Sequence, residues 1–525
     1  MNSVAPGRAR PLSKVLNGSV DPLRMFAALS GGGAHPHAFL LESADVHSGS
    51  AERSLGCAEP CLRVSGRGHD FELLALNRTG EKMLAVLAPK LDFASDLEIG
   101  DMRTTGRLPA PRTGLEERDR LREPGPMDLL RAINSAFRPD SGAGFPPGGL
   151  FGAFAYDFID QFESLPDEQD DPHPVPDYVF YFADHFFLVD HLHDRSIFVA
   201  TALGLPDSEE EYARAQELLR HYETMAETAP ELSALPKAPV LNEDELELDL
   251  SDAEYETVVE RLKNHILAGD VFQIVPSRSF EAPAREDALT TYRRLRALNP
   301  SPYMFFLRMG EDTLLGASPE TALKVSGGRA EIRPIAGTKP RGFRGDSLDE
   351  DLDARYEAEL KLDSKELAEH VMLVDLARND VARVSCAGTR RVDRLFTVEK
   401  YSHVQHLVSS VSGKLRDDFD PLHAYLATMN MGTLTGAPKV EAMRLLRETE
   451  RTRRGFYGGS VGYWMLDGDF DTCIVIRSLF ITGGRAIARA GAGVVYDSVP
   501  EREADETRRK AAAPLAALGF AKEGA

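Results

Sequence analysis

Two Glu-x-x-Glu spacings stand in the last third of the chain: Glu366 with Glu369 in KELAEHVMLVDLARND, and Glu503 with Glu506 in EREADETRRK. Both segments have helical composition, and residues three apart on a helix share a face, so each pair directs two carboxylates at one point. Like charges converge only at a cost unless a cation lies between them. Magnesium suits the task, because it takes oxygen ligands and keeps water or substrate oxygens in the positions the protein leaves open. The same spacing also describes a solvated helix face, so the pairs need other chemistry beside them.

Four glycine-rich or charged segments supply candidates: RPIAGTKPRG, EKYSHVQHLVS, MGTLTGAPK and RAGAGVVYDS. Gly491-Ala492-Gly493 follows a predicted strand and can turn backbone amides toward a carboxylate, while Gly337-Thr338 and Gly432-Thr433 each join a permissive residue to a hydroxyl. A tight turn is the plain alternative for each. Arg477 stands in DTCIVIRSL, a run apolar enough to be a strand buried on both faces. A guanidinium there pairs with a structural carboxylate or binds an anionic ligand bidentately. Lys510 lies seven residues after Glu503, on the helix face of Glu503 and Glu506. His406, in an alternating His/Val/Leu stretch, is either a satisfied core histidine or a catalyst.

The elements that must position these residues form two regions. Residues 1–245 mix strand-like runs, FELLAL (71–76), MLAVLA (83–88) and YVFYFADHFFLVD (178–190), with turn-rich connections and few helices. TAPELSALPKAPVLNEDE (228–245) has linker composition and sets the boundary with residues 246–525. Ser251 and Glu254 form a capping box that opens an amphipathic helix ending at Gly269. Hairpin patterns follow, punctuated by Gly327-Gly328, Asp467-Gly468-Asp469 and Gly483-Gly484. Helical segments at about 350–383, 421–428, 438–450 and 503–518 interrupt them irregularly, which predicts an α+β class with large, mainly antiparallel sheets covered by helices. No internal repeat, Walker loop or strand-linked G-x-G-x-x-G occurs, so a nucleotide cofactor is not expected.

Bulk properties exclude several classes. The 525 residues are 42% apolar and 27% charged, a globular composition, and the longest apolar runs are too short to span a bilayer. The cytoplasm is the expected compartment. Four scattered cysteines, at 57, 61, 386 and 473, form neither a zinc pattern nor a disulfide framework. A net charge of −22 without a basic cluster argues against a nucleic-acid partner. An anionic ligand remains compatible, since screening removes the far field beyond about 8 Å and local cations decide binding.

LLESAD, DVFQIVPSR, NPSPYMFFL, ASPETALKV, RPIAGTKPRG, KELAEHVMLVDLARND, MGTLTGAPKVEAM, RRGFYGGSVGYW, DTCIVIRS and AGAGVVYDSVPEREADETRRKA together resemble the chorismate-utilising enzymes, and among them anthranilate synthase component I, from about residue 20 to the end. The resemblance implies that fold: large antiparallel sheets packed as a sandwich and covered by helices. It implies that Glu369 and Glu506 ligate Mg2+, with Glu366 and Glu503 acting on bound water, and that the metal holds the ring carboxylate of chorismate. Gly337, Thr338, Tyr457, Arg477, Gly491, Ala492, Gly493 and Lys510 would line the substrate pocket, with Arg477 and the 491–493 amides on the enolpyruvyl carboxylate. Glu320 would protonate the departing C4 hydroxyl, His406 would assist the loss of pyruvate, and Thr433 would help position the substrate.

Two positions choose among the family's reactions. Aminodeoxychorismate synthases usually carry a nucleophilic lysine where Ala336 stands here, and isochorismate and salicylate synthases a water-activating lysine where Gln273 stands. With neither amine present, the resemblance implies external ammonia as the nucleophile, adding at C2 to give anthranilate and pyruvate as a first step toward tryptophan. No glutaminase-type Gly-x-Cys-x-Gly elbow is found, so a separate glutamine amidotransferase subunit is expected, in a heterotetramer of two large and two small subunits. Leu41, Glu42 and Ser43 with Ser301, Pro302, Tyr303 and Met304 resemble a feedback pocket for L-tryptophan. A lysine often found after the first of these motifs is absent, and Arg53 is the available substitute. The alternatives are aminodeoxychorismate synthase component I and a non-catalytic amino-acid sensor of the same fold.

Overall fold

The structure, a computed structural model, describes residues 3–44, 52–110, 119, 121–140, 145–166, 169–345, 347–401 and 404–520. Asp45, the 46–51 part of VHSGSAERS, Ser402 and His403 lie outside them. Among the described residues the chain forms one sheet of 12 strands and another of 13. They pack face to face around a shared core that includes Phe39, Phe151, Phe186, Phe305, Leu314 and Val461. Phe39 of one sheet stacks on Phe151 of the other with ring centroids 4.4 Å apart. The outer face of the first sheet is covered by helices through Phe26, Tyr292, Ala511 and Leu515, and that of the second through Met83, Leu84, Val374, Val381 and Tyr425. This is the expected helix-covered sandwich, with each sheet burying both faces. No helix among the described residues is long and apolar enough to cross a membrane.

Both sheets take strands from either side of residue 245. Tyr303–Met309 pairs antiparallel with His37–Glu42, and Ser460–Met465 with Gly149–Phe154. The boundary therefore divides the sequence and not the sheets, because a β-strand left at an open edge satisfies its backbone by pairing with whichever strand lies beside it. The 228–245 segment packs against the same body: Leu241 is buried, and Arg294 donates to Pro236 O at 3.2 Å.

Three local expectations are corrected. The run 83–88 is helical: 83–87 lie inside Arg78–Leu87 and Ala88 opens a 3-10 turn, the Asn77 side chain caps Gly80 N, and Met83, Leu84 and Leu87 face the core with helical spacing. The run 178–190 is two strands, Tyr178–Ala183 in the 13-stranded sheet and His185–Asp190 in the other, and the chain changes sheets at Asp184, buried and paired with Arg214. The segment 350–383 is two helices, Glu350–Leu362 and Ser364–Val384, because the Asp363 carboxylate accepts from Lys365 N and Glu366 N and starts the second helix anew. The capping box holds: Ser251 accepts from Glu254 N, and Gly269 ends the helix Asp252–Ala268 at φ 87°.

Candidate active site

Two crossovers between the sheets lie side by side and carry Glu320 and Arg477. The chain leaves the 12-stranded sheet after Asp312–Ser318 and enters the other at Thr321–Ser326; it returns between Phe470–Ile474 and Ser478–Thr482. The crossovers are tied by Ile474 N donating to Glu320 O at 3.0 Å and Ala317 N donating to Arg477 O at 3.1 Å. Arg477 thus sits between strands and not within one, with φ 51°, in the left-handed region that a non-glycine residue adopts at a steric cost.

The Arg477 side chain makes no ion pair or hydrogen bond among the described residues. Burial lowers its affinity for the proton, while Tyr457, Glu506 and Glu320 are the groups whose fields act on it in the opposite sense. A desolvated guanidinium without an anion is a binding group for one. Burial also pushes the Glu320 carboxyl up to about 7, against the pull of the Thr433 hydroxyl, Lys510 and Arg477. The Thr433 hydroxyl is buried without a hydrogen bond of regular geometry to the protein, and a cavity of about 30 Å³ is lined by Glu320, Gly432 and Thr433. Glu320 is therefore an acid that keeps its proton near neutrality.

His406 lies on Val404–Lys414, opposite Thr338 on Ile335–Pro340. Its Nδ1 is 3.2 Å from Gly337 O and 2.9 Å from Thr338 Oγ1. The carbonyl can only accept, so Nδ1 carries the proton and Nε2 the lone pair. Burial lowers the imidazole to about 4, so it is neutral at pH 7. Gly337 is a bulge residue at φ 70°; a Cβ there would lie 2.9 Å from Glu366 Oε2, which shows how closely the first carboxylate pair approaches this strand.

The second arm is Arg485–Gly491 and the helix Pro500–Leu518. Lys510 Nζ lies 2.6 Å from Glu506 Oε1 and donates to Gly491 O at 2.9 Å, which joins the helix to the glycine loop. A Cβ on Gly491 would lie 3.2 Å from the Tyr457 hydroxyl, and burial raises that phenol to about 12, so it stays neutral. The Ala492 amide corrects the expectation that all three loop amides serve an anion: it donates to Pro276 O at 3.2 Å and to Tyr255 OH at 3.2 Å. Gly493 makes no backbone bond of this kind among the described residues, and a Cβ there would lie 2.8 Å from Gln273 Nε2.

The carboxylate pairs face one another across the site. Glu366 is raised by burial, then by Asp363 and, across the gap and least, by Glu506; Glu369 is raised by burial and, in smaller part, by Glu366 and Glu503; Glu503 is raised by burial and by Glu506. Lys365, 3.7 Å from Glu369 Oε1, and Lys510 are the partial counter-charges. Among the described residues no group of three or more His, Cys, Asp or Glu closes around a metal position. The donor set fits a hard divalent cation that takes few protein oxygens and completes its shell with water and substrate, as magnesium does.

A buried triad behind Tyr457 escaped the sequence. Glu450 Oε1 lies 2.6 Å from Arg454 Nη2, Glu450 Oε2 lies 3.1 Å from Arg489 Nη2, and Ser277 N donates to Glu450 Oε1 at 2.7 Å. Arg454 O accepts from Tyr457 N at 3.2 Å, so the triad sets the turn that presents the phenol. The signal was the i,i+4 spacing of Glu450 and Arg454, masked by a charge-rich segment that reads as surface.

Six of the residues expected to form a feedback pocket, Leu41, Glu42, Ser43, Pro302, Tyr303 and Met304, line a separate cavity of about 550 Å³ between the sheets, together with Arg53. Ser43 Oγ is buried there without a partner among the described residues. Ser301 is absent from that lining, and the side chains of Glu42, Ser301 and Met304 turn elsewhere. The Glu42 carboxylate faces the helix side, accepting from Tyr292 OH at 2.6 Å and pairing with Arg296 at 3.1 Å, because alternate strand residues point to opposite faces. The Ser301 hydroxyl turns to Asn299 O at 3.2 Å, and Met304 packs in the helix-side core.

This fold, with facing carboxylate pairs beside an unpaired guanidinium, is that of the chorismate-binding enzymes, and that family matches residues 104–516. Anthranilate synthase component 1 of Vibrio cholerae is 45% identical over 96% of this chain and 95% of its own length, and that of Escherichia coli 44% over 95% of each. The crystal structure of anthranilate synthase component I from Streptococcus pneumoniae superposes with a TM-score of 0.67 at 28% identity, covering 88% of this chain and 92% of that one. The chain belongs to the chorismate-binding enzyme family, in its anthranilate synthase component 1 group.

Proposed function

We propose that the chain converts chorismate and ammonia to anthranilate, pyruvate and water in a magnesium-dependent reaction, with the ammonia drawn from glutamine by a partner amidotransferase subunit. The observation that carries this reading is Arg477: a half-buried cation with no ion pair among the described residues, lying in the fields of Tyr457, Glu506 and Glu320. It suits the enolpyruvyl carboxylate of a dianion, assisted by the Gly491 and Gly493 part of the loop and by Lys510. Glu369 and Glu506 would hold magnesium, which when bound supplies positive charge to the ring carboxylate. Glu320 then delivers its proton to the C4 hydroxyl, which leaves as water while the ammonia nitrogen bonds to C2. Neutral His406 presents Nε2 as the base for the C2 proton as the C3–O bond breaks, and that proton passes to the methylene carbon of the departing enolpyruvyl group, which leaves as pyruvate. Ala336 and Gln273 offer no competing amine, which favours anthranilate over the 4-amino and 2-hydroxy products.

The metal arm is tested by two variants. Glu506→Gln should abolish most turnover and the magnesium-induced rise in Tm, whereas Glu503→Gln should weaken both by a smaller factor, about 10- to 100-fold in metal affinity. Equal effects of the two substitutions, or turnover unchanged by chelation, would contradict the assignment.

Feedback inhibition by L-tryptophan at the 550 Å³ cavity is part of the same reading. Its support is the orphaned Ser43 hydroxyl on the cavity wall. Ser43→Phe should raise the tryptophan concentration for half-inhibition by more than tenfold with kcat unchanged; a wild-type chain indifferent to tryptophan removes this element.

A further inference from the structure

The turn that carries Glu503 and Glu506 is held from behind by one side chain. Arg278, on Ser277–Pro283, has no solvent exposure. Its Nη2 donates to Ala504 O at 3.0 Å and its Nε to Thr507 Oγ1 at 2.9 Å, so its bonds fall on the residues just after each glutamate. Its Nη1 donates to Leu250 O at 3.2 Å and pairs with Asp252 Oδ1 at 2.7 Å. Asp252, first residue of its helix, also holds Arg508 of the glutamate helix at 2.8 Å.

The same guanidinium reaches the glycine loop through one ring. It lies 5.0 Å from the centroid of Tyr255 and 5.3 Å from that of Phe280. Tyr255 OH donates to Pro276 O at 2.8 Å and accepts the Ala492 amide at 3.2 Å. The arginine is buried while its partner Asp252 is only half-buried, a pairing that adds little net stability, so what a rigid fork contributes is direction.

We propose that Arg278 is a positioning residue: it fixes the Glu503–Glu506 turn relative to the Gly491–Gly493 loop, so that the two carboxylates of a rigid dianion meet their partners together. This rests on the reading of the site as one for chorismate and magnesium. Arg278→Met keeps volume and removes the fork. The expected result is an apparent magnesium affinity, read from the metal-induced Tm shift without substrate, weakened by about 10- to 100-fold, together with a raised KM for chorismate.

Arg278→Lys keeps the charge but reaches fewer acceptors, and should move both readouts in the same direction by less; it also serves if the Met variant does not fold. Phe280→Leu, whose ring centroid lies 5.3 Å from the guanidinium, is the control for general loosening. It should lower Tm while leaving magnesium affinity unchanged. Unchanged metal affinity and KM in the Arg278 variants, or equal losses in Phe280→Leu, would overturn the proposal. A wild-type chain without any magnesium-induced shift would overturn the metal reading instead, so the two failures are distinguishable.

Discussion

Arg477→Met should lower kcat/KM for chorismate by about 30-fold to several thousand-fold, since losing one partner of a desolvated charge pair costs about 2–5 kcal/mol and each 1.4 kcal/mol is tenfold. The same substitution should leave the Tm unchanged or raise it. An ordinary structural arginine behaves the other way, because its removal strands a buried carboxylate. Here no such carboxylate exists among the described residues, and burial already disfavours the Arg477 cation. Activity lost with stability retained is thus the signature of a cation kept for a ligand. A fall in Tm with kcat/KM preserved would return Arg477 to a structural role.

Glu320→Gln should cost about 10²- to 10⁴-fold in kcat, the range of a positioned general acid. The pH dependence sharpens the test. Burial raises the Glu320 carboxyl to about 7, so the required proton is present below that pH and is lost as pH rises through it. At fixed free ammonia, wild-type kcat/KM should therefore fall above about pH 7, and the residual rate of the Gln variant should not follow that titration. Stability gives a second sign. The unfolded chain ionises this group near the ordinary glutamate value, so between there and pH 7 the folded state binds the extra proton and loses stability as pH rises. Above pH 7 the Gln variant should be more heat-stable than wild type, as measured by thermal melts at pH 6 and 8.

The parts of this site that were legible in the sequence are those whose signal is local. Glu366 with Glu369, and Glu503 with Glu506, declare themselves by helical spacing, and the helix Asp252–Ala268 by its cap. The crossovers were not legible. YVFYFADHFFLVD and most of DTCIVIRSL are buried on both faces, so no alternation marks where one strand ends and the next begins; a short polar step, Asp184-His185 or Arg477-Ser478, is the sign. Residues 83–88 misled for a related reason, since a short apolar run has no length over which a period of 3.6 can be told from 2. Bonds such as Ala492 N to Tyr255 OH join residues far apart in sequence, and neither partner's type announces the other. The choice of Arg477 as an anion ligand came through the resemblance; its lack of an ion pair is a fact of packing that only the fold supplies.

The most direct test of the account follows the nitrogen. The isolated chain is incubated with chorismate, magnesium and 15N-labelled ammonium at mildly alkaline pH, and anthranilate is followed by fluorescence and mass while pyruvate is measured enzymatically. The account predicts anthranilate carrying one 15N, one pyruvate per anthranilate, and no product when magnesium is chelated. A 4-amino product, isochorismate, or unlabelled turnover would contradict it.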